Sequence, residues 1–162
     1  MRDPILTGPE HRFVAAARRA VLATTRPDGD PRLVPICFVL ADDPDEHGRP
    51  ILYSPIDEKR KRSAEPRELG RVRDLAAIPA VTLLVDHWDE DWGRLGWLRL
   101  SGRGSLLEPP LGREPREAEE RAGAIGALRV KYVQYASHDL EHRPIVRIAI
   151  DRVQRWGDLA PD

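Results

Sequence analysis

Ala20-Val21-Leu22-Ala23-Thr24-Thr25, then Arg26-Pro27-Asp28-Gly29-Asp30, then Leu33-Val34-Pro35-Ile36-Cys37-Phe38-Val39-Leu40: this stretch decides the architecture. The first run is short, apolar and strand-like. Pro-Asp-Gly is the chemistry of a tight reversal, so the following run is expected to pair back antiparallel. Leu33 to Leu40 is apolar on both faces and reads as one strand covered on both sides. Pro35 inside it cannot donate to a ladder. It marks an edge, a bulge or a place where something other than a strand, such as a flat ligand, lies alongside.

Working outward, Ala41 to Pro50 is polar, carries Pro44 and Gly48, and reads as a surface loop. Ile51-Leu52-Tyr53-Ser54-Pro55-Ile56 is the next strand, and the two apolar strands at 33 to 40 and 51 to 56 are expected to form a hairpin. The second of them runs into four consecutive cations, Lys59-Arg60-Lys61-Arg62, the densest charge in the chain. If the chain stays extended, Lys59 and Lys61 point to one side and Arg60 and Arg62 to the other, so either pair could face a phosphate or carboxylate. A solvated strand end, where cations discourage edge pairing, is the competing explanation.

Before this core, Pro9 and Glu10 open a helix expected at about 9 to 19, with Phe13, Val14, Ala17 and Ala20 at helical spacing. After it, Glu65-Pro66-Arg67-Glu68 starts a second helix, carried by Leu69, Val72, Leu75 and Ala76 and stopped by Pro79. Ala80 to Val85 is a strand, and Asp86 to Gly93 an acidic, aromatic loop. Trp97 to Leu107 alternates as a strand does, with Gly102 and Gly104 suggesting a bulge. A helix rich in Glu, Ala and Arg follows at 114 to 130, and Ile145 to Trp156 is a closing strand with Val146, Ile148, Ile150 and Val153 favouring one side. Tight antiparallel links without a series of strand-helix-strand crossovers predict a mainly β, α+β fold: a small antiparallel barrel with peripheral helices, in one domain spanning residues 1–162.

A hydrophobic content of 41% beside 33% charge suits a globular chain with a real core, and a formal net charge of -1 provides no global field for nucleic acid. Anion binding must then come from local clusters. Of the 26 basic residues only Lys59, Lys61 and Lys131 are lysines, and arginine suits bidentate anion contacts. The single cysteine, Cys37, permits no internal disulfide and fits a reducing cytoplasm. Met1 to Pro9 lacks the apolar core of a signal peptide, and no apolar run approaches a membrane span, so a cytosolic protein without a membrane partner is expected.

Three segments in order, Val21 to Ile36, Ile51 to Ser54 with the basic run, and Ile78-Pro79-Ala80-Val81-Thr82-Leu83-Leu84-Val85, resemble the split-barrel flavin and deazaflavin oxidoreductases of the pyridoxamine 5'-phosphate oxidase-like superfamily. The Asp86-His87-Trp88-Asp89-Glu90-Asp91-Trp92 loop and the Trp97 segment are similar to its coenzyme F-420-dependent branch. The resemblance covers most of the chain. It implies a split antiparallel β-barrel, a homodimer, and a ring held between subunits against Val34, Pro35 and Ile36 and against Tyr53 and Ser54. Lys59, Arg60, Lys61 and Arg62 would hold the anionic tail of F-420, or of FMN as the alternative cofactor. Such a tail needs several cations beside an apolar slot. The implied reaction is hydride transfer to a small-molecule substrate, with Tyr53 and Ser54, the polar side chains nearest the ring, as the candidate catalytic residues.

Other constellations carry less. His138-Asp139-Leu140-Glu141-His142 has the letters of an inverted zinc-peptidase motif, but Pro144 follows and spacing supplies no third ligand, so polar loop or helix-end residues are expected and no metal site is assigned. The Asp86–Asp91 carboxylates lack calcium-loop spacing and read as a solvated loop. Cys37 reads as a small buried core residue. Trp88, Trp92, Trp97 and Trp156 could cap a ring or pack an interface. Two function classes remain beside the F-420 enzyme: an FMN oxidase or reductase, and a non-catalytic binder of flavin, deazaflavin or haem.

Overall fold

A computed structural model describes residues 4–56, 65–109 and 114–160. Among these, seven strands form one sheet, all of whose pairings are antiparallel, in the order β2-β1-β5-β6-β7-β4-β3. The strands are β1 (Ala20–Thr25), β2 (Pro31–Ile36), β3 (Val39–Leu40), β4 (Ile51–Pro55), β5 (Ala80–His87), β6 (Gly96–Leu107) and β7 (Ile145–Gly157). Three α-helices accompany them: α1 (Gly8–Ala16), α2 (Gly70–Ala77) and α3 (Pro115–Lys131). The sheet curls into a half-barrel whose terminal strands, β2 and β3, leave it split.

The reversal between β1 and β2 forms as its residues dictate. Gly29 adopts φ +92, and its N–H and that of Arg26 close the turn onto Arg26 and Asp30 carbonyls. In β1 the alternation puts Ala20, Leu22 and Thr24 inside. A large core fills the curl, with Leu22, Phe38, Leu52, Leu83, Leu98, Leu100, Ile148 and Ile150 packed against α1 and α2. A second core lies under α3, built from Ile51, Tyr53, Ile125, Leu128, Tyr135 and Ile145. Thus β4 is buried on both faces, one strand serving two cores.

The run at 33 to 40 is not one strand. It breaks at Cys37 and Phe38, so residues 31–36 pair with β1 while only Val39 and Leu40 pair with β4, opposite Tyr53 and Leu52. The expected hairpin with 51 to 56 is reduced to those two residues. The break is held from far along the chain: the Tyr132 hydroxyl accepts the Phe38 N–H at 3.0 Å and lies 2.8 Å from the Phe38 carbonyl. Nor is β2 covered on both sides, since Pro31, Leu33 and Pro35 are exposed, as an edge strand permits. Cys37 is half-buried at the break and packs against the margin of the second core.

Smaller differences have local causes. The first helix stops at Ala16 rather than near 19, because Ala17 turns extended and gives its N–H to Phe13 and Val14. The second begins with a 3-10 turn at Pro66–Glu68 before α2. The expected bulge falls between Ser101 and Gly102, where a Cβ on Gly102 would meet the Ala149 carbonyl at 2.0 Å. No helix among the described residues is long and apolar enough to cross a membrane.

Candidate functional site

Of the residues the sequence singles out, Val34 and Ile36 turn toward the core and Pro35 toward solvent. Tyr53 and Ser54, adjacent on β4 and both buried, point to opposite faces. The backbone passes directly from Ile36 through the break to Val39, which pairs with Tyr53, so the two predicted segments are neighbours across the split. Lys59, Arg60, Lys61 and Arg62 lie outside the described residues. Their described flanks are Ile56, which follows β4, and Glu65, which leads into α2.

The Tyr53 hydroxyl is committed. It donates to Glu120 Oε1 at 2.6 Å, which also accepts the Arg147 Nε–H at 2.7 Å. Burial pushes the Tyr53 hydroxyl well above its ordinary value, and the Glu120 carboxylate adds to the shift by hydrogen bond and charge. This trio borders a cleft of about 430 Å³ at the start of α3, where Asp43, Asp45, Glu46, Glu114, Glu117 and Glu120 outnumber Arg116 and Arg147. An anionic tail does not fit that field.

The outer face of the sheet offers a different surface. Strand registers place Leu33, Ala23, Thr82, Ser101 and Arg152 in one row across β2, β1, β5, β6 and β7. Small side chains fill the middle of the row, leaving a shallow concavity of about 500 Å³ that Thr25, Gly102, Arg103 and Arg152 help to line. The adjacent row runs Pro35, Val21, Leu84, Arg99, Gln154. Leu33 is 64% exposed and Leu84 39%. A flat floor of small side chains, polar and apolar, with Arg103, Arg152 and Asp151 at its margin, has room for a planar ring, and the two arginines are the cations that an anionic tail would meet. Behind β2, Arg32 donates its Nε–H to Asp74 at 2.8 Å, with Thr24 Oγ1 donating to the same oxygen at 2.7 Å. Gly70 makes this possible, because a Cβ there would lie 2.3 Å from the Arg32 Cζ.

These partners were not visible along the chain. Glu120 and Arg147 meet Tyr53 from distant elements, and the small residues of the outer row are scattered over three strands. The one sequence signal for the row is the outward position of Ala23, Thr82 and Ser101 in alternating strands. Trp97 pairs with Trp156 across β6 and β7, while Trp88, Trp92 and Trp156 are exposed. The 138 to 142 segment is a turn after a 3-10 stretch at Val133–Ser137. There His142 meets Asp139 at 2.9 Å, and Glu141 is taken by Arg129.

A family model described as Pyridoxamine 5'-phosphate oxidase matches residues 8–157. Solved structures share the fold. A conserved hypothetical protein from Mycobacterium tuberculosis is 20% identical with a TM-score of 0.67, over 100% of this chain and 93% of that one. A protein described as an F420 reductase is 17% identical with a TM-score of 0.59, over 89% of this chain and 94% of that one. A FAD-binding protein from Mesorhizobium loti is 21% identical with a TM-score of 0.59, over 93% and 94% of the respective chains. Among curated proteins none matches.

Proposed function

The chain belongs to the pyridoxamine 5'-phosphate oxidase family, and on that premise we propose that it is a homodimeric oxidoreductase that binds coenzyme F-420 and reduces a small organic substrate. The observation that carries this reading is the bare outer face: the Leu33–Ala23–Thr82–Ser101–Arg152 row, flat in the middle and cationic at one end. Likeness to an F420 reductase supports F-420 over FMN, and likeness to a FAD-binding protein keeps the flavin alternative open.

When bound, the deazaflavin supplies the hydride. The chain's own residues orient and enclose it. Ala23, Thr82 and Ser101 give the ring a floor without protruding side chains, and a second subunit laid over Leu33 and Leu84 would exclude water. Lys59, Arg60, Lys61 and Arg62, with Arg103 and Arg152, are the cations proposed for the tail. Val34, Pro35, Ile36, Tyr53 and Ser54 set the two backbone segments flanking the split. With its hydroxyl held by Glu120, Tyr53 acts through the position of β4, and Ser54 acts from the opposite face.

The test is a parallel titration of the purified protein against F-420, FMN and haem, followed by turnover with F-420 deuterated at its hydride-donating carbon. F-420 should bind tightest and pass deuterium to product. Preference for FMN moves the assignment to the flavin alternative. Haem binding without any hydride transfer makes the protein a non-catalytic binder.

A further inference from the structure

Ile150 and Val153 on β7 both pack into the large core, so the two residues between them cannot alternate as a regular strand requires. The register shift beside Ser101 and Gly102 resolves the conflict. Arg152 stays opposite Ser101, Ile150 falls opposite Gly102, and Asp151 is the extra residue of a bulge. Asp151 and Arg152 are both exposed, and both line the concavity of about 500 Å³ on the outer face together with Arg103 from β6. The bulge thus adds one carboxylate to a margin that arginines would otherwise hold. Asp151 meets Arg49 of the 41–50 loop at 3.7 Å, but Arg49 holds Asp45 more closely at 2.8 Å, and the Asp151 side chain stays 48% exposed. A carboxylate offers about four acceptor positions, so capacity is left over for a ligand.

Three strand spacings, about 14 Å, separate Ala23 on β1 from Arg152 on β7. A ring laid on the small side chains of Ala23, Thr82 and Ser101 therefore leaves its substituent at the bulge. There the two arginines attract a phosphate, whereas the carboxylate repels a phosphate and accepts from hydroxyls. A margin of both signs suits a linker whose hydroxyls precede an anion. We infer that Asp151 accepts hydrogen bonds from the ribityl hydroxyls between ring and phosphate, a chain common to F-420 and FMN, while Arg103 and Arg152 meet the phosphate. This role rests on the proposed cofactor lying on the outer face, and it adds a residue that reads the linker and not the charge.

The probes form two series: F-420, its phosphate-free ribityl deazaflavin and the same ring bearing methyl in place of ribityl; and FMN, riboflavin and lumiflavin. The series that the wild type binds is titrated by fluorescence into wild type, Asp151→Ala and Arg152→Ala. Asp151→Ala should weaken the full cofactor and the phosphate-free form alike, about tenfold each, and leave the methyl form unchanged. Arg152→Ala should weaken the full cofactor about tenfold and leave the phosphate-free form unchanged. Equal affinity of Asp151→Ala and wild type for the phosphate-free form overturns the role of Asp151 and leaves the cofactor reading intact. An equal loss for the methyl form overturns it too, because a distorted sheet and not a lost acceptor would then explain the variant. A wild type that binds neither series overturns the cofactor reading itself, and the role of Asp151 with it.

Discussion

Arg32, on the open edge strand, donates its Nε–H to Asp74 at 2.8 Å, and the Asp74 side chain is only 3% exposed. Burial alone would raise that carboxyl. The hydrogen bonds from Arg32 and Thr24 and the charges of Arg32 and Arg26 hold it below the usual carboxylate range instead. A depressed carboxyl contributes stability that is present above its unfolded value of about 3.9 and is lost as pH falls through the folded value. Asp74→Asn should therefore cost about 1–3 kcal/mol at neutral pH by stranding Arg32 and Thr24. Denaturant unfolding at pH 7 and at low pH should show the gap to wild type narrowing on acidification; a gap that is constant with pH would show that the charge of Asp74 is not what matters.

The proposed tail site predicts a salt-sensitive cofactor. Replacing both Lys59 and Lys61, or both Arg60 and Arg62, by Ala should weaken F-420 binding by roughly 2 to 4 kcal/mol for the pair that faces the ligand. Raising ionic strength should erode wild-type affinity more than that of the weakened variant. Fluorescence titration measures both, and two double variants with wild-type dissociation constants would remove the basic run from the site.

With the Tyr53 hydroxyl donated to Glu120, Tyr53→Phe and Ser54→Ala should lower turnover modestly, by about tenfold. For Tyr53→Phe a companion stability loss of about 1 kcal/mol is expected, from the lost hydrogen bond. The raised hydroxyl also contributes stability that is present below the ordinary tyrosine value of about 10 and lost at higher pH. Steady-state kinetics and alkaline unfolding together check this; a loss of several orders of magnitude in turnover with unchanged stability would make Tyr53 a catalytic residue.

Assembly is the last expectation. The exposed Leu33 and Leu84 on one sheet face predict two subunits paired about a two-fold axis. Sedimentation at micromolar concentration should give twice the 18.3 kDa chain mass, and Leu33→Asp should shift it toward monomer and weaken cofactor binding together. A wild-type protein that sediments only as a monomer would also undo the cofactor site between subunits.

The sequence by itself determined the elements and their punctuation. Pro27, Asp28 and Gly29 turn β1 into β2 because the required backbone angles are written within those few residues, and Pro35 marks an edge because it lacks an N–H. The bulge at Gly102 was legible for the same local reason. Only the tertiary structure decided that residues 33–40 break into two strands, since the hydroxyl holding the break belongs to Tyr132, 94 positions beyond Phe38. Likewise Tyr53 gains its role from Glu120, 67 positions on, and the outer row exists only once five strands are in register. Such pairings depend on how the sheet curls and which helix covers it. Apolar periodicity records that a residue will be buried, but not which distant side chain will meet it.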